Sequence, residues 1–142
     1  PIPLAIAQAA IETGWGTSRF ALDGNSLFGQ WTWKKSGLTP SRREVGKEHL
    51  VKDFKNLRHS VENYAQNLNS SAFYNRFRKA RLKLIKNDRY LNNASSRLAT
   101  HLSSYSQEGE KYVEKILKII SINRLADFEL LSNELRDVSL GN

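Results

Sequence analysis

Residues 7–18 of the chain read AQAAIETGWGTS, and this stretch decides how the N-terminal part folds. Its apolar first half is followed by Gly14 and Gly16, which readily adopt the left-handed backbone that ends many helices. The stretch therefore predicts a short apolar helix with Glu12 in its last turn. A negative charge in that place opposes the helix macrodipole, so local helix stability does not explain why Glu12 is there.

Downstream of this helix, the pattern predicts a reversal of the chain and a small β region. Asp23-Gly24-Asn25 is a strong turn signal. From Leu27 to about Phe54, aromatic and β-branched residues are punctuated by glycines and a proline, which is typical of a small hairpin or an irregular lobe. The clearest strand is predicted over 49–54.

The rest of the chain shows apolar residues at helical spacing. The spacing predicts an amphipathic helix with Phe73, Phe77 and Leu84 on its apolar face, and Ser106 is expected to cap a later helix with an acidic first turn. The predicted helices are near 61–68, 73–85, 91–102, 113–120 and 125–135. The predicted fold class is therefore α+β, mainly α, with one small β lobe inserted early.

Length and composition indicate one domain. The 142 residues, of which 39% are hydrophobic, can bury a core without disulfides or metal ions. We expect residues 1–142 to form a single domain, with 126–142 as a C-terminal helical extension. The chain has no Cys, which excludes a thiol nucleophile and a thiolate zinc site. Residues 1–10 are apolar but lack a basic flank and an initiator Met, so a mature or trimmed fragment is expected.

The chain is strongly basic, with a formal net charge of +8. Such a charge favours a polyanionic partner, which could be nucleic acid, an anionic membrane face or a bacterial wall. Much of the excess lies between Arg76 and Arg89, where seven cations accompany only Asp88. A solvated helix face explains the same stretch, because long basic side chains commonly extend over a helix surface.

Most catalytic motifs are missing from the sequence. The chain has no G-x-S-x-G elbow, no P-loop and no G-x-G-x-x-G, and its three histidines lack metal-ligand spacing. No metal and no cofactor are therefore expected. The remaining candidate is Glu12, followed by Thr13, Gly14 and Trp15. Contact with apolar side chains would raise the pKa of this carboxyl and suit it to general acid catalysis, although a surface glutamate beside a glycine turn fits the spacing equally well.

Aromatic residues supply the second half of a possible sugar site. Sugar rings stack their C–H faces on aromatic planes, so clefts lined by Trp and Tyr are a recurrent solution to glycan binding. Trp31 and Trp33 are two residues apart and would share one face of a strand. The sequence leaves open whether that face lines a cleft or the core.

The run from Ala7 to Ser18, followed by Asn25-Ser26-Leu27-Phe28-Gly29, resembles the glucosaminidase family of peptidoglycan hydrolases, glycoside hydrolase family seventy-three. Matches further along the chain are similar to the Bax-like branch of that family, bacterial proteins unrelated to the apoptosis factor of that name. They include Gly37-Leu38-Thr39-Pro40, Tyr105-Ser106 and Asn123-Arg124-Leu125. The resemblance covers Pro1 to about Leu125.

The resemblance implies a lysozyme-like fold, with a helical lobe and a small β lobe flanking a cleft. It also implies hydrolysis of the β-1,4 bond between N-acetylglucosamine and N-acetylmuramic acid, with Glu12 as general acid. Trp15, by contrast, is expected to pack its ring into the core and so anchor the glycine turn. The expected substrate-binding residues are Trp31, Trp33, Tyr105, Tyr112, Asn25 and Phe28.

A second carboxylate from the β lobe is implied as the catalytic base. Glu44 and Glu48 are the candidates, with Asp53 as a third, and the family's usual threonine-rich strand context is missing around them. Glu44 is favoured because it lies in a segment expected to be flexible, which could close over the substrate. Inversion, substrate-assisted retention and formation of an anhydro product all remain open.

The expected partner is the glycan strand of peptidoglycan, with no nucleic acid, although the charge also suits peripheral contact with an anionic wall or membrane. The expected location is the periplasm, the cell envelope or the exterior. The alternative class is a noncatalytic basic module that binds cell wall or nucleic acid, since the basic stretch alone would serve such a role.

Overall fold

The computed structural model describes residues 1–32, 37–39, 50–86 and 93–129. Within them the chain forms six α-helices and one two-stranded antiparallel sheet. The elements in chain order are α1 (Ile2–Thr13), α2 (Arg19–Gly24), β1 (Trp31–Thr32), β2 (Leu50–Val51), α3 (Leu57–Ser70), α4 (Asn75–Lys86), α5 (Ala94–Ala99) and α6 (Glu110–Ile122). The predicted class, a mainly α lysozyme-like fold with a small β part, is confirmed.

The described residues divide into two units. The first unit comprises the residues up to Gln8 and those from Leu68 onward, and the second comprises Ala9 to Asn67. The prediction of one domain with an extension over 126–142 stays a prediction, and most of that extension lies outside the described residues. No helix in the described ranges is both long enough and apolar enough to cross a membrane.

The core of the first unit is built from the apolar faces of its helices. In α6 the buried residues recur at the three- and four-residue spacing that brings side chains onto one face. Each fully buried Leu or Ile contributes about 1.5–3 kcal/mol relative to an exposed one. The core residues of this unit include Leu4, Leu68, Tyr74, Phe77, Leu84, Leu98, Leu102, Tyr112, Ile116 and Ile120.

Two local predictions in this unit are wrong. Phe73 is 80% exposed, because it lies in a 3-10 turn, Ala72–Tyr74, ahead of α4, and the tighter winding of that turn buries Tyr74 instead. Ser106 does not cap α6, which begins at Glu110 after Gly109 with no side-chain cap bond. The hydroxyl of Ser106 instead accepts the Glu108 N–H in the turn before the helix.

The N-terminus of α5 is completed by a residue far away in sequence. Asn93 precedes this helix but makes no side-chain cap hydrogen bond. Glu129, which is only 4% exposed, accepts the backbone N–H of Ser95 at 2.5 Å. A carboxylate in this place satisfies one of the free N–H groups at the helix start and interacts favourably with the helix dipole.

In the second unit, the two short strands pair with Trp31 opposite Val51. The strand predicted over 49–54 is therefore shorter, at Leu50–Val51, and a single bridge joins Val51 to Leu38. Phe28 stacks on Tyr64 of α3, with ring centroids 3.9 Å apart. This stacking holds the segment between α2 and β1 against α3.

Candidate active site

The end of α1 has the left-handed geometry that its glycines predict. The backbone at Gly14 has a φ of 55°, and the Trp15 N–H donates to the carbonyl of Ala10 at 2.9 Å. A bond that spans five residues after a left-handed residue is the mark of a Schellman motif. The helix therefore stops one turn after Ala10, and Glu12 lies in its last turn.

Thr13 connects the last turn of α1 to the loop that follows. Its side chain is buried, and its hydroxyl donates to the carbonyl of Ala9 at 2.6 Å. The same hydroxyl accepts the backbone N–H of Gly16 at 2.7 Å. One side chain thus holds both the helix end beside Glu12 and the glycine turn.

The carboxyl of Glu12 lies beside Gly29. A Cβ added to Gly29 would be 3.1 Å from Oε2 of Glu12, a distance at which the carboxyl would have to give way. The φ of Gly29 is 57°, a left-handed value that favours glycine over residues with a side chain. Two separate parts of the signature sequence therefore meet at the carboxyl of Glu12, a half-buried residue.

Trp15 does not enter the core, so the expectation that it plugs the glycine turn is wrong. Its side chain is 60% exposed. The residue adopts a φ of 62°, and Gly16 after it adopts 80°, so three consecutive residues have left-handed backbone. This winding turns the ring outward. A bulky non-glycine residue in that conformation is strained, and such strain persists where surrounding structure holds it.

Trp31 is also an outward-facing aromatic residue in the second unit. Its side chain is 50% exposed, whereas its neighbour Thr32 is buried, as expected for alternating residues of a strand. Trp31 therefore does not face the core. Trp33, predicted to share its face, lies outside the described residues.

Asn25 and Phe28 hold the segment that carries Gly29. Asn25 ends α2 with a φ of 50°, and its side-chain amide donates to the carbonyl of Phe54 at 3.0 Å. Phe28 is 3% exposed, and Ser60 supports its neighbour Leu27 by accepting the Leu27 N–H. The substrate contacts predicted for Asn25 and Phe28 stay predictions. The hydrogen bond of Asn25 and the stacking of Phe28 on Tyr64 hold the segment that carries Gly29.

Tyr105 and Tyr112 lie together in the first unit. Their rings are stacked with centroids 5.6 Å apart and an interplanar angle of 3°. Tyr112 is 1% exposed, and its hydroxyl accepts the side-chain amide of Gln8 at 3.0 Å. Tyr105 is half-buried and has the more accessible ring. As substrate contacts both stay predictions, with Tyr112 placed to support Tyr105.

The predicted base residues, Glu44 and Glu48, lie outside the residues that the structure describes. Asp53, the third candidate, is exposed and follows β2. In the described ranges no group of three His, Asp or Glu side chains could hold a metal ion.

Two positioning residues, Thr13 and Gly29, were missed as site candidates although both belong to the signature. Glycine directly after the aromatic Phe28 was the available signal for Gly29, because a glycine there permits close approach of another group. Thr13 carried a weaker signal, since a hydroxyl beside a helix-ending glycine is common in turns.

Together these features define a mainly α domain of the lysozyme-like class, with a glutamate held at the end of its first helix. The chain belongs to the glucosaminidase family, because the family model described as mannosyl-glycoprotein endo-beta-N-acetylglucosaminidase matches residues 1–125.

Among curated proteins, the chain is similar to Protein bax of Escherichia coli (strain K12). The two are 33% identical over 112 residues, which cover 79% of this chain and 39% of that protein. The chain thus spans about two fifths of the length of this relative. No solved structure matches the chain.

Proposed function

We propose that this chain hydrolyses the β-1,4 bond between N-acetylglucosamine and N-acetylmuramic acid in peptidoglycan, with Glu12 as the general acid. Peptidoglycan lies outside the cytoplasmic membrane, so the proposal includes action in the periplasm, at the cell envelope or outside the cell. Membership of the glucosaminidase family supports a glycosidase that acts on N-acetylglucosaminides.

The observation that carries the proposal is the placement of the Glu12 carboxyl. It lies in the last turn of α1, where the helix dipole does not favour a negative charge, and it faces Gly29, whose missing side chain leaves room beside it. Thr13 and the glycine turn hold this end of the helix. A carboxyl kept in a costly place by several supporting contacts is typical of a catalytic group.

In the proposed reaction, Glu12 in its protonated form donates a proton to the glycosidic oxygen as the bond from that oxygen to the anomeric carbon breaks. The leaving sugar departs as a neutral alcohol. Water then adds its oxygen to the anomeric carbon and loses one proton to a base. Trp15 and Trp31 offer exposed ring faces on which sugar rings can stack.

The base is Glu44 or Glu48 if the reaction inverts the anomeric centre, and the two carboxyls should then stand roughly 6.5–9.5 Å apart. If the acetamido group of the substrate attacks first, configuration is retained and no enzymic nucleophile is needed. Proton NMR of fresh products from a defined muropeptide distinguishes the two routes. Separate Glu44→Gln and Glu48→Gln variants identify the base, and full activity of both would exclude these two residues from that role.

The substitution Glu12→Gln tests whether Glu12 is the general acid. The amide keeps the shape of the side chain but has no proton to transfer, so release of muropeptides from purified sacculi should fall by about 10²–10⁴-fold. Glu62→Gln is the matched control, because Glu62 is an exposed glutamate on α3 of the same unit. If the Glu12 variant keeps half of the wild-type rate while folding normally, Glu12 is not the acid.

A noncatalytic wall-binding or nucleic-acid-binding module is the second candidate, and the net charge of +8 favours it. Such a module would bind without releasing any soluble sugar product. Mass spectrometry of digested sacculi therefore separates the two candidates, and it also detects an anhydro-muramic product if cleavage is lytic.

A further inference from the structure

The first unit contains a strongly basic groove between α4 and the end of α5. The groove has a volume of about 440 Å³ and an apolar floor formed by Ala80 and Leu84. Its rim carries four positive charges from two helices and no acidic side chain among the described residues that line it. These cations are Arg76, Lys79, Lys83 and Arg97. We call this feature the basic groove.

None of the four cations forms an ion pair with another residue of the described ranges, whereas Lys115 and Arg124 of the same unit do. All four are exposed. Cations without carboxylate partners retain their full charge toward a ligand. The basic groove is thus a positively charged concavity rather than a network of surface ion pairs.

Helix stability explains only half of this arrangement. Lys83 and Arg97 lie in the last turns of α4 and α5, where the helix dipole favours a cation, but the other two cations have no such reason. Arg76 is in the first turn of α4, where a cation opposes the helix dipole. Arg76 and Lys79 are three residues apart, and Lys79 and Lys83 are four apart, so like charges are neighbours on one helix face. Both features are unfavourable in the free protein and become favourable once an anion lies between the charges.

We propose that the basic groove binds phosphate groups of an anionic wall polymer, specifically a chain of polyol units joined by phosphodiesters. The oxygens of a phosphodiester are arranged tetrahedrally and accept hydrogen bonds from several directions, which suits cations that converge from two helices. An arginine fork binds carboxylate and phosphate alike, but a carboxylate accepts mainly within its own plane and therefore reaches fewer of the four cations.

Two features argue against nucleic acid as the occupant. Single strands bind through successive bases that stack on several aromatic side chains, whereas the described lining of the basic groove offers one such ring, that of His101, and no Phe, Tyr or Trp. A duplex displays its phosphates on a convex surface that meets a narrow concavity poorly. A polyol-phosphate chain has no bases to stack, and its phosphates match the four cations of the groove. The assignment of this wall polymer as the ligand rests on the proposed function, whereas the binding of phosphate by the basic groove does not.

The test measures binding of a purified glycerol-phosphate polymer by calorimetry at about 50 and about 200 mM salt, the range over which phosphate contacts weaken steeply. Lys79→Gln combined with Lys83→Gln should weaken binding about tenfold. The slope of log K against log salt concentration should also become shallower by roughly 1.4, because each of the two lost phosphate contacts accounts for about 0.7. Lys111→Gln combined with Lys118→Gln on α6 is the matched control, because both residues are exposed and the charge change is the same.

Equal weakening by the control pair would show that net charge alone attracts the polymer and would overturn the site. Polyaspartate, phosphatidylglycerol vesicles and a single-stranded oligonucleotide serve as the other arms, each expected to bind at least about tenfold more weakly. Binding of any of them as tight as that of the polymer would overturn the assigned ligand. Turnover of a soluble, phosphate-free glycan should be unchanged in Lys79→Gln/Lys83→Gln, so failure of the groove and failure of catalysis are distinguishable.

Discussion

At the scale of single residues, the described site depends on where side chains are missing as much as on where they are present. Gly29 combines a left-handed backbone with a close neighbour, Oε2 of Glu12, which would have to shift by a few tenths of an ångström to admit a Cβ. The glycine thus controls the position of the carboxyl. Gly109 also has a positive φ, but nothing lies within 4 Å of a Cβ added there, which gives a means of separating backbone strain from displacement of Glu12.

Gly29→Ala should lower activity beyond its effect on stability. The left-handed backbone costs an alanine about 1–2 kcal/mol in unfolding free energy. The new methyl group, 3.1 Å from the carboxyl, should also displace Glu12 and reduce kcat. Rates measured per folded molecule, with the folded fraction taken from thermal unfolding, report the second effect.

Gly109→Ala is the control for that experiment. Gly109 has a φ of 59°, close to that of Gly29, but nothing lies within 4 Å of the Cβ that would be added. It should lose stability and keep its kcat. Equal kcat values for the two alanine variants would mean that Gly29 does not position the carboxyl.

Trp15 and Trp31 give the next prediction for single residues, because exposed aromatic rings can stack on sugars. Trp15→Ala and Trp31→Ala should each raise KM about two- to tenfold, which corresponds to about 0.5–1.5 kcal/mol for a lost ring contact. Thermal stability should change little. Leu22→Ala is the control, since Leu22 is 69% exposed on α2 of the same unit. An unchanged KM in either tryptophan variant would remove that residue from the substrate site.

At the scale of elements, several hydrogen bonds hold the end of α1. A helix end leaves carbonyl groups without partners, and here the Trp15 N–H and the Ser18 N–H bond two of them, the carbonyls of Ala10 and Thr13. The Thr13 hydroxyl adds a bond to the carbonyl of Ala9 within the helix. The same hydroxyl accepts the Gly16 N–H. The side chain of Thr13 therefore anchors both the helix end that carries Glu12 and the strained turn at residues 14–16.

Thr13→Val should destabilise the fold by about 1–3 kcal/mol, because a methyl group replaces a buried hydroxyl that makes two hydrogen bonds. The turn should also loosen, with a fall in kcat per folded molecule. Thr13→Ser keeps the hydroxyl and is expected to restore most of both properties. If serine behaves like valine, the packing of the Thr13 methyl matters rather than its hydrogen bonds. Chemical denaturation and initial rates provide the two readouts.

At the scale of the whole molecule, the net charge of +8 should make activity on an insoluble anionic wall sensitive to salt. Salt screens attraction to a polyanion, with a Debye length of about 8 Å at physiological ionic strength. Release of muropeptides from sacculi should therefore fall several-fold as salt rises from about 50 to about 200 mM. Cleavage of a short soluble glycan should change little, because diffusion to that substrate does not depend on wall attraction. Parallel decline of both activities would place the salt effect in the catalytic step.

The sequence by itself determined the features that depend on neighbouring residues. Apolar spacing predicted α6 and the mainly helical class, and the glycines after Glu12 predicted where α1 ends. Such features follow from local backbone geometry and from the period of a helix face. The resemblance carried by residues 7–18 and 25–29 pointed to the family that the comparison with known proteins then showed.

Only the tertiary structure decided which distant groups meet and which side chains stay outside. Gly29 lies against Glu12, and Glu129 caps α5 from 34 residues away, since each contact depends on the path of the chain between its partners. Trp15 and Phe73 carry apolar side chains that composition assigns to a core. They remain exposed because a left-handed turn and a 3-10 turn set the direction of each side chain.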